Sequence, residues 1–217
     1  MERYDIINEI IKKEGLRTYL EIGLRDPKEC FDKINAESKW SVDPGYETDY
    51  NHMSQNQATY PYESDDFFYK LRLNSLDLTP NMKWDLIFVD GLHISDQVYR
   101  DFLNAKEHLT PNGYIVFHDC SPPTCHHARE DYNDFNTPAT VYWNGTVWKA
   151  IQKIRTDHFV SMVTVNSDWG VSVVRFHKGM IPKLGEYINP FYDFNKFDQN
   201  REEILNLIDP SDFYNWI

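Results

Sequence analysis

Three short apolar runs each stop at a polar tip: Thr18-Tyr-Leu-Glu-Ile-Gly23, Trp84-Asp-Leu-Ile-Phe-Val-Asp90 and Gly113-Tyr-Ile-Val-Phe-His-Asp119. Runs of this length without polar alternation fit strands buried on both faces, the kind found in parallel sheets covered by helices. Ligands of such sheets bind outside the carboxyl ends of the strands. Glu21, Asp90, His118 and Asp119 are therefore expected along one rim, and the chemistry with them.

The 217 residues are 41% hydrophobic and 26% charged, a globular composition with enough chain for one sizeable core. A formal net charge of −12 argues against a nucleic-acid backbone as partner, which needs a basic face. No apolar stretch approaches the ~18 residues of a membrane span. The start, Met1-Glu-Arg-Tyr-Asp, has no signal-peptide core. Cys30, Cys120 and Cys125 are few and odd in number, which points to a reducing, cytoplasmic setting.

Periodicity predicts a helix over 3–14 with Gly15 as its cap, and strands at 18–22, 39–43, 85–89 and 114–118. A helix entered by Pro27 should present Cys30, Phe31 and Ile34. Residues 46–62 read as a loop or lid. Helices should start at Ser64 and at Ser95, each serine acting as a cap, the second running to Leu109. Thr110-Pro-Asn-Gly113 reads as a turn, 120–140 as a loop and 147–154 as a helix. Residues 159–165 and 171–176 read as a hairpin around Asp168-Trp-Gly170. The expectation is an α/β, Rossmann-like parallel sheet with helices on both faces and a late antiparallel hairpin strand. It is divided as one domain over 1–180 and an aromatic-rich extension over 181–217, serving as lid, docking arm or oligomer contact.

This arrangement resembles the class I S-adenosylmethionine-dependent methyltransferase fold. Glu21-Ile-Gly23 is similar to that family's first motif, and Asp43 to the acidic residue closing its second strand. Phe88-Val-Asp-Gly-Leu-His93, Leu109-Thr-Pro-Asn-Gly-Tyr-Ile-Val-Phe-His-Asp119, Trp143-Asn-Gly-Thr-Val-Trp-Lys149 and Asp168-Trp-Gly170 resemble small O-methyltransferases of glycan and natural-product pathways, often found beside glycosyltransferases. The likeness spans roughly residues 15–176. It departs after Gly23, where Leu-Arg-Asp-Pro replaces further glycines.

The resemblance implies S-adenosylmethionine as cofactor, with Gly23 against its methionine part, Glu21 toward its ammonium and Asp43 on the ribose. Ser64 or Asp65, between Tyr60 and Phe68, would meet the adenine, and Asp90 would join the cofactor contacts. Asp90, His118 and Asp119 resemble a metal site for Mg²⁺ or Mn²⁺, and an oxygen-rich set with one imidazole suits such ions. His93, three residues after Asp90, sits where a general base is carried, and Asp90 could share that role. The bland alternatives are a turn glycine, a turn-capping Asp43 and a metal-free polar cluster. A zinc set from Cys120, Cys125, His126 and His127 lacks zinc-motif spacing. Tyr142, Trp143, Trp148, Asn144 and Asp168 could receive a sugar ring, though Trp148 has helical spacing that fits core packing.

The expected activity is methyl transfer to a hydroxyl of a sugar or glycan, metal-assisted, with His93 as base. The rival readings are a metal-independent N- or carboxyl-methyltransferase and a noncatalytic nucleotide-binding subunit of a glycosyltransferase system. The expected company is a sugar or glycan acceptor, with homo-oligomerisation or fusion to or association with a glycosyltransferase.

Overall fold

The computed structural model describes residues 1–46, 58–176, 181 and 183–217. Its elements run α1 (Arg3–Glu14), β1 (Thr18–Ile22), β2 (Ser38–Val42), α2 (Ser64–Arg72), β3 (Trp84–Val89), α3 (Ser95–Glu107), β4 (Leu109–Phe117), α4 (Val147–Asp157), β5 (Ser161–Val165), β6 (Val171–Arg175), α5 (Phe194–Gln199), α6 (Arg201–Leu205), β7 (Leu207–Ile208) and α7 (Pro210–Trp216). The strands form one seven-stranded sheet in the order β2-β1-β3-β4-β6-β5-β7. Only β6 runs against its neighbours; the other pairings are parallel. Most of the region read as a lid, 47–57, lies outside the described residues.

Alternate side chains along each strand reach opposite faces of the sheet, so the apolar runs feed two cores. Leu20, Ile22, Ile87, Val89, Ile115 and Phe117 pack with Phe67, Phe102, Trp148 and Phe197 on one face. Tyr19, Leu86, Phe88, Tyr114 and Val116 pack with Ile6, Ile7 and Ile10 of α1 and with Phe213 of α7 on the other. Helices thus cover both faces. The aromatic-rich tail supplies α5, α6, β7 and α7; Phe197, Ile204, Leu205 and Phe213 are fully buried.

Several local expectations change. The helix expected after Pro27 is a single 3-10 turn, Phe31–Lys33, because Asp26 caps a turn and the chain must reach β2 within a few residues. Thr110-Pro-Asn-Gly113 is not a turn between elements but lies inside β4. The register steps from Trp84↔Leu109 to Leu86↔Tyr114, and the extra residues bulge while Thr110 Oγ1 donates to Asp85 Oδ1 (3.0 Å). The helix from Ser95 ends at Glu107, before this strand. Neither Ser64 nor Ser95 caps its helix. Glu63 and Ile94 hold the cap positions, Ser64 Oγ donates to Asp101 Oδ1 (2.6 Å), and Ser95 N–H donates to Thr146 Oγ1 (2.8 Å). Gly15 does cap α1, in the left-handed region at φ 67°.

Candidate active site

The strand ends stay bonded one step beyond the sheet. Gly23 N–H donates to Val42 O (2.9 Å), Asp90 N–H to Ile22 O (2.8 Å) and His118 N–H to Val89 O (3.2 Å). Gly23 has φ 89°, and a Cβ there would lie 2.2 Å from the Asp90 carbonyl oxygen. Only glycine lets β1 turn so close beneath β3, and this contact places Asp90.

Asp90, His93, His118 and Asp119 converge. Nε2 of His93 lies 3.4 Å from Asp90 Oδ1 and 3.5 Å from Asp119 Oδ2. Nδ1 of His118 lies 3.3 Å from Asp90 Oδ1 and 2.9 Å from Asp119 Oδ2. Asp119 holds φ 59°, a strained value for a non-glycine residue, which turns its carboxylate back over the rim. Asn144 Nδ2 donates to Asp119 Oδ1 (2.6 Å) and fixes it there. The segment 143–146 clamps the β3–α3 loop. Thr146 N–H donates to His93 O (2.8 Å), and a Cβ on Gly145 would lie 2.1 Å from that same oxygen. Nδ1 of His93 donates to Trp143 O (3.2 Å), and the Trp143 ring stacks on the imidazole with centroids 5.0 Å apart. With Nδ1–H committed to Trp143 O, Nε2 faces the two carboxylates, which favour a proton on it.

Arg3, from the first turn of α1, reaches the same place. Its Nη1 lies 2.6 and 3.1 Å from the two ring nitrogens of His118, so the guanidinium sits across the imidazole instead of in line with one lone pair. It also lies 3.9 Å from Asp90 and 3.5 Å from Asp168, and its backbone N–H donates to Asp168 Oδ2 (2.8 Å). Asp168 Oδ1 is 3.2 Å from His118 Nε2. Burial pushes the Asp90 carboxyl up, but His118, His93 and Arg3 together hold it well below the usual carboxylate range. Burial lowers both imidazoles, and the surrounding carboxylates outweigh it, holding His93 above its ordinary value and His118 well above.

Asp90, His93 and Asp119 each offer a ligating atom, all within 4.8 Å of one another. Two carboxylates and an imidazole in that space fit a divalent cation. His118, the imidazole expected as the ligand, lies beside the same two carboxylates, with Arg3 and Asp168 also against its ring. Cys120 is buried and Cys125 exposed, both free, and His127 Nδ1 pairs with Thr124 Oγ1 (2.9 Å); no zinc grouping forms among the described residues.

The other expected residues are placed as follows. The Glu21 carboxyl is buried on the α1 face of the sheet, hydrogen-bonded by Tyr19 OH, and burial pushes it up to about 8. Asp43 accepts from the backbone N–H groups of Leu24 (2.7 Å), Arg25 (3.0 Å) and Gly45 (2.6 Å), so it shapes the turn after β1. Ser64 and Asp65 turn to α3, Ser64 to Asp101 and Asp65 to Arg100 (3.0 Å). Trp148 is core, 4.3 Å from the Phe197 ring. Arg3 had no signal in the sequence, since one arginine in an amphipathic helix looks like any other. Asn144 was read only as a sugar-facing residue.

Residues 26–120 match the Methyltransf_24 family model, described as a methyltransferase domain. The chain carries a methyltransferase domain. Among solved structures, the O-methyltransferase TomG from Streptomyces achromogenes, in complex with SAM, superposes with a TM-score of 0.50 at 13% identity, covering 81% of this chain and 80% of that one. A Klebsiella pneumoniae structure described as a candidate O-methyltransferase gives 0.51 at 12% identity, covering 82% of each chain. No curated protein sequence matches the chain. The fold is therefore that of the S-adenosylmethionine-dependent methyltransferases, as the sequence implied. The matched residues run from before β2 through β4 and end at Cys120, directly after Asp119. No helix among the described residues is long and apolar enough to cross a membrane.

Proposed function

We propose that this methyltransferase uses S-adenosylmethionine to methylate a hydroxyl of a sugar or glycan, with His93 as general base and a divalent cation at Asp90 and Asp119. The observation that supports this most is the setting of His93. Its Nδ1 is committed to Trp143 O, and its Nε2 lies at the rim where three parallel strands end, beside two carboxylates that stabilise a proton taken up there. Nε2 takes the acceptor's proton as the oxygen attacks the cofactor's methyl group. Trp143 holds the ring plane, and Asn144 and His118 hold Asp119. A bound cation supplies positive charge that lowers the hydroxyl's pKa. The cofactor would lie along Gly23, Glu21, Asp43 and Asp90, with Ser64 and Asp65 toward its adenine. A ribose hydroxyl would bind Asp43 alongside the three backbone N–H groups that it already accepts.

A second reading follows from the donor distances: His93 is itself the cation's third ligand. One calorimetric series separates the two. S-adenosylhomocysteine should bind with micromolar affinity, and Asp43→Ala should abolish it. His93→Ala that still binds Mn²⁺ but loses turnover by roughly a hundredfold or more establishes the base. His93→Ala that loses Mn²⁺ establishes the ligand. No binding of S-adenosylhomocysteine with or without cation overturns the methyltransferase function and brings forward a noncatalytic nucleotide-binding role. Turnover insensitive to chelators favours a metal-independent N- or carboxyl-methyltransferase. Association with a glycosyltransferase follows from the family resemblance, and homo-oligomerisation from the aromatic-rich tail.

A further inference from the structure

Exposed aromatic rings collect beside the Asp90–Asp119 cluster. Tyr142 is 57% exposed and Trp169 38%, yet their rings stack with centroids 5.7 Å apart and planes inclined by 27°. His127 extends the row, 5.7 Å from Trp169. Both rings of the stacked pair are neighbours in sequence to residues of the cluster. Tyr142 precedes Trp143, which stacks on His93; Trp169 follows Asp168, which meets His118 and Arg3. The platform is carried by the same two segments that bring Trp143 and Asp168 to the cluster.

The platform is built and held. Arg129 donates to the carbonyls of Tyr142 (2.7 Å), Thr140 (2.9 Å) and His126 (2.9 Å), and the Trp143 indole N–H donates back to Arg129 O (2.8 Å). Asp168 and Trp169 hold φ of 45° and 63°, left-handed values that cost non-glycine residues free energy and gather at ligand clamps. Ser121 N–H to Trp169 O (2.8 Å) and Cys120 N–H to Gly170 O (3.0 Å) keep the turn in that shape. Strain that turns an indole outward, away from two available cores, makes sense when its face is used.

Resting on the hydroxyl-acceptor reading above, we infer that Tyr142 and Trp169 form the acceptor subsite and stack on the apolar face of a neutral, glycosidically linked sugar whose hydroxyl reaches His93. With Tyr142 and His127 both against Trp169, the most exposed ring is Tyr142, and a ring open on one side suits the C–H face of a pyranose; a planar aromatic acceptor gains most from a slot closed on both sides. The surrounding segment is rich in hydroxyl-binding side chains, Asn133, Asn136 and Thr137. Its charge is acidic: Glu130 is paired with Lys149, Asp131 and Asp134 stand beside Tyr132, and Arg129 is spent on backbone carbonyls. A nucleotide sugar, carrying phosphate charge, is disfavoured here.

The test is tryptophan-fluorescence titration of the full chain with S-adenosylhomocysteine present. The probes are methyl hexosides, methyl 6-deoxyhexosides, maltohexaose and cellohexaose, against UDP-glucose and catechol. The expected result is binding of at least one neutral saccharide, weakened about tenfold in Tyr142→Ala and Trp169→Ala and restored in Tyr142→Phe and Trp169→Phe. Calorimetry of the same complexes reads binding where the Trp169 signal is removed. Unchanged thermal melting and S-adenosylhomocysteine affinity show that the variants fold. Binding of catechol or UDP-glucose in preference, saccharide binding equal in both alanine variants, or no saccharide binding overturns the subsite. If S-adenosylhomocysteine binds and saccharides do not, the subsite fails and the methyltransferase reading stands. Saccharide binding without S-adenosylhomocysteine binding gives the reverse.

Discussion

Gly23 and Asp101 show how single residues set this rim. Gly23 combines φ 89° with a backbone oxygen 2.2 Å from any Cβ, so Gly23→Ala must push β1 away from Asp90. The expected cost is about 2–4 kcal/mol, read as a lower denaturant midpoint, with Asp90 displaced and cation binding lost. Asp101 is buried on α3 and accepts from Ser64 Oγ (2.6 Å) and Gln97 Nε2 (3.1 Å). Burial pushes its carboxyl up to about 6, with those two bonds opposing. A carboxyl raised in the folded state keeps its proton after the unfolded chain has lost its own. Stability from this group is thus full below the unfolded value and falls as pH rises toward about 6. Asp101→Asn keeps both partners and removes the ionisation. Thermal melts should show the variant gaining on the parent between pH 4 and pH 7, by roughly 3 kcal/mol at most.

At the scale of elements, the site joins pieces distant in sequence. The start of α1, the ends of β3 and β4, the 143–146 segment and the β5–β6 turn meet at His118 and Asp119. Arg3 is a permanent cation among Asp90, Asp119 and Asp168, beside the raised His118, and its side chain is only 18% exposed. Arg3→Ala leaves those carboxylates partly uncompensated, and about 2–4 kcal/mol of stability should be lost in urea unfolding. Arg3→Lys should recover part of it, because the charge returns without the planar fork. The elements also show why some readings succeeded. Buried strands between helices announce themselves by unbroken apolar runs, and β1, β3 and the second half of β4 fall where those runs stand. The pattern after Pro27 suggests a helix because Cys30, Phe31 and Ile34 mimic a helical face, and Thr110–Gly113 suggests a turn because Pro-Asn-Gly sits in a bulge as well as in a turn.

At the scale of the molecule, β7 and α5–α7 pack onto the cores. Phe197, Ile204, Leu205 and Phe213 are fully buried, each contributing roughly 1.5–3 kcal/mol. Their sum rivals the whole stability of an ordinary domain, ~5–15 kcal/mol. Deleting 181–217 should therefore yield aggregated or unfolded protein, checked by soluble yield and circular dichroism; a soluble, cooperatively melting 1–180 fragment would show an independent domain.

The sequence by itself determined the buried strands up to the late hairpin, their direction and the polar tips that face one another, but not the edge strand β7 from the tail. Burial pattern and chain order are local properties, and a parallel sheet sends all its strand ends to one side. It also put Asp90, His93, His118 and Asp119 together, because two neighbouring strand ends can deliver them nowhere else. What only the tertiary structure decided is which group does what. Trp143 O holds Nδ1 of His93, Arg3 lies across His118, Asn144 fixes Asp119, and backbone N–H groups occupy Asp43. Apart from the Gly45 N–H on Asp43, those contacts link residues from 18 to 115 positions apart. Such contacts depend on how loops and helices close in space, and that leaves no period or motif in the chain.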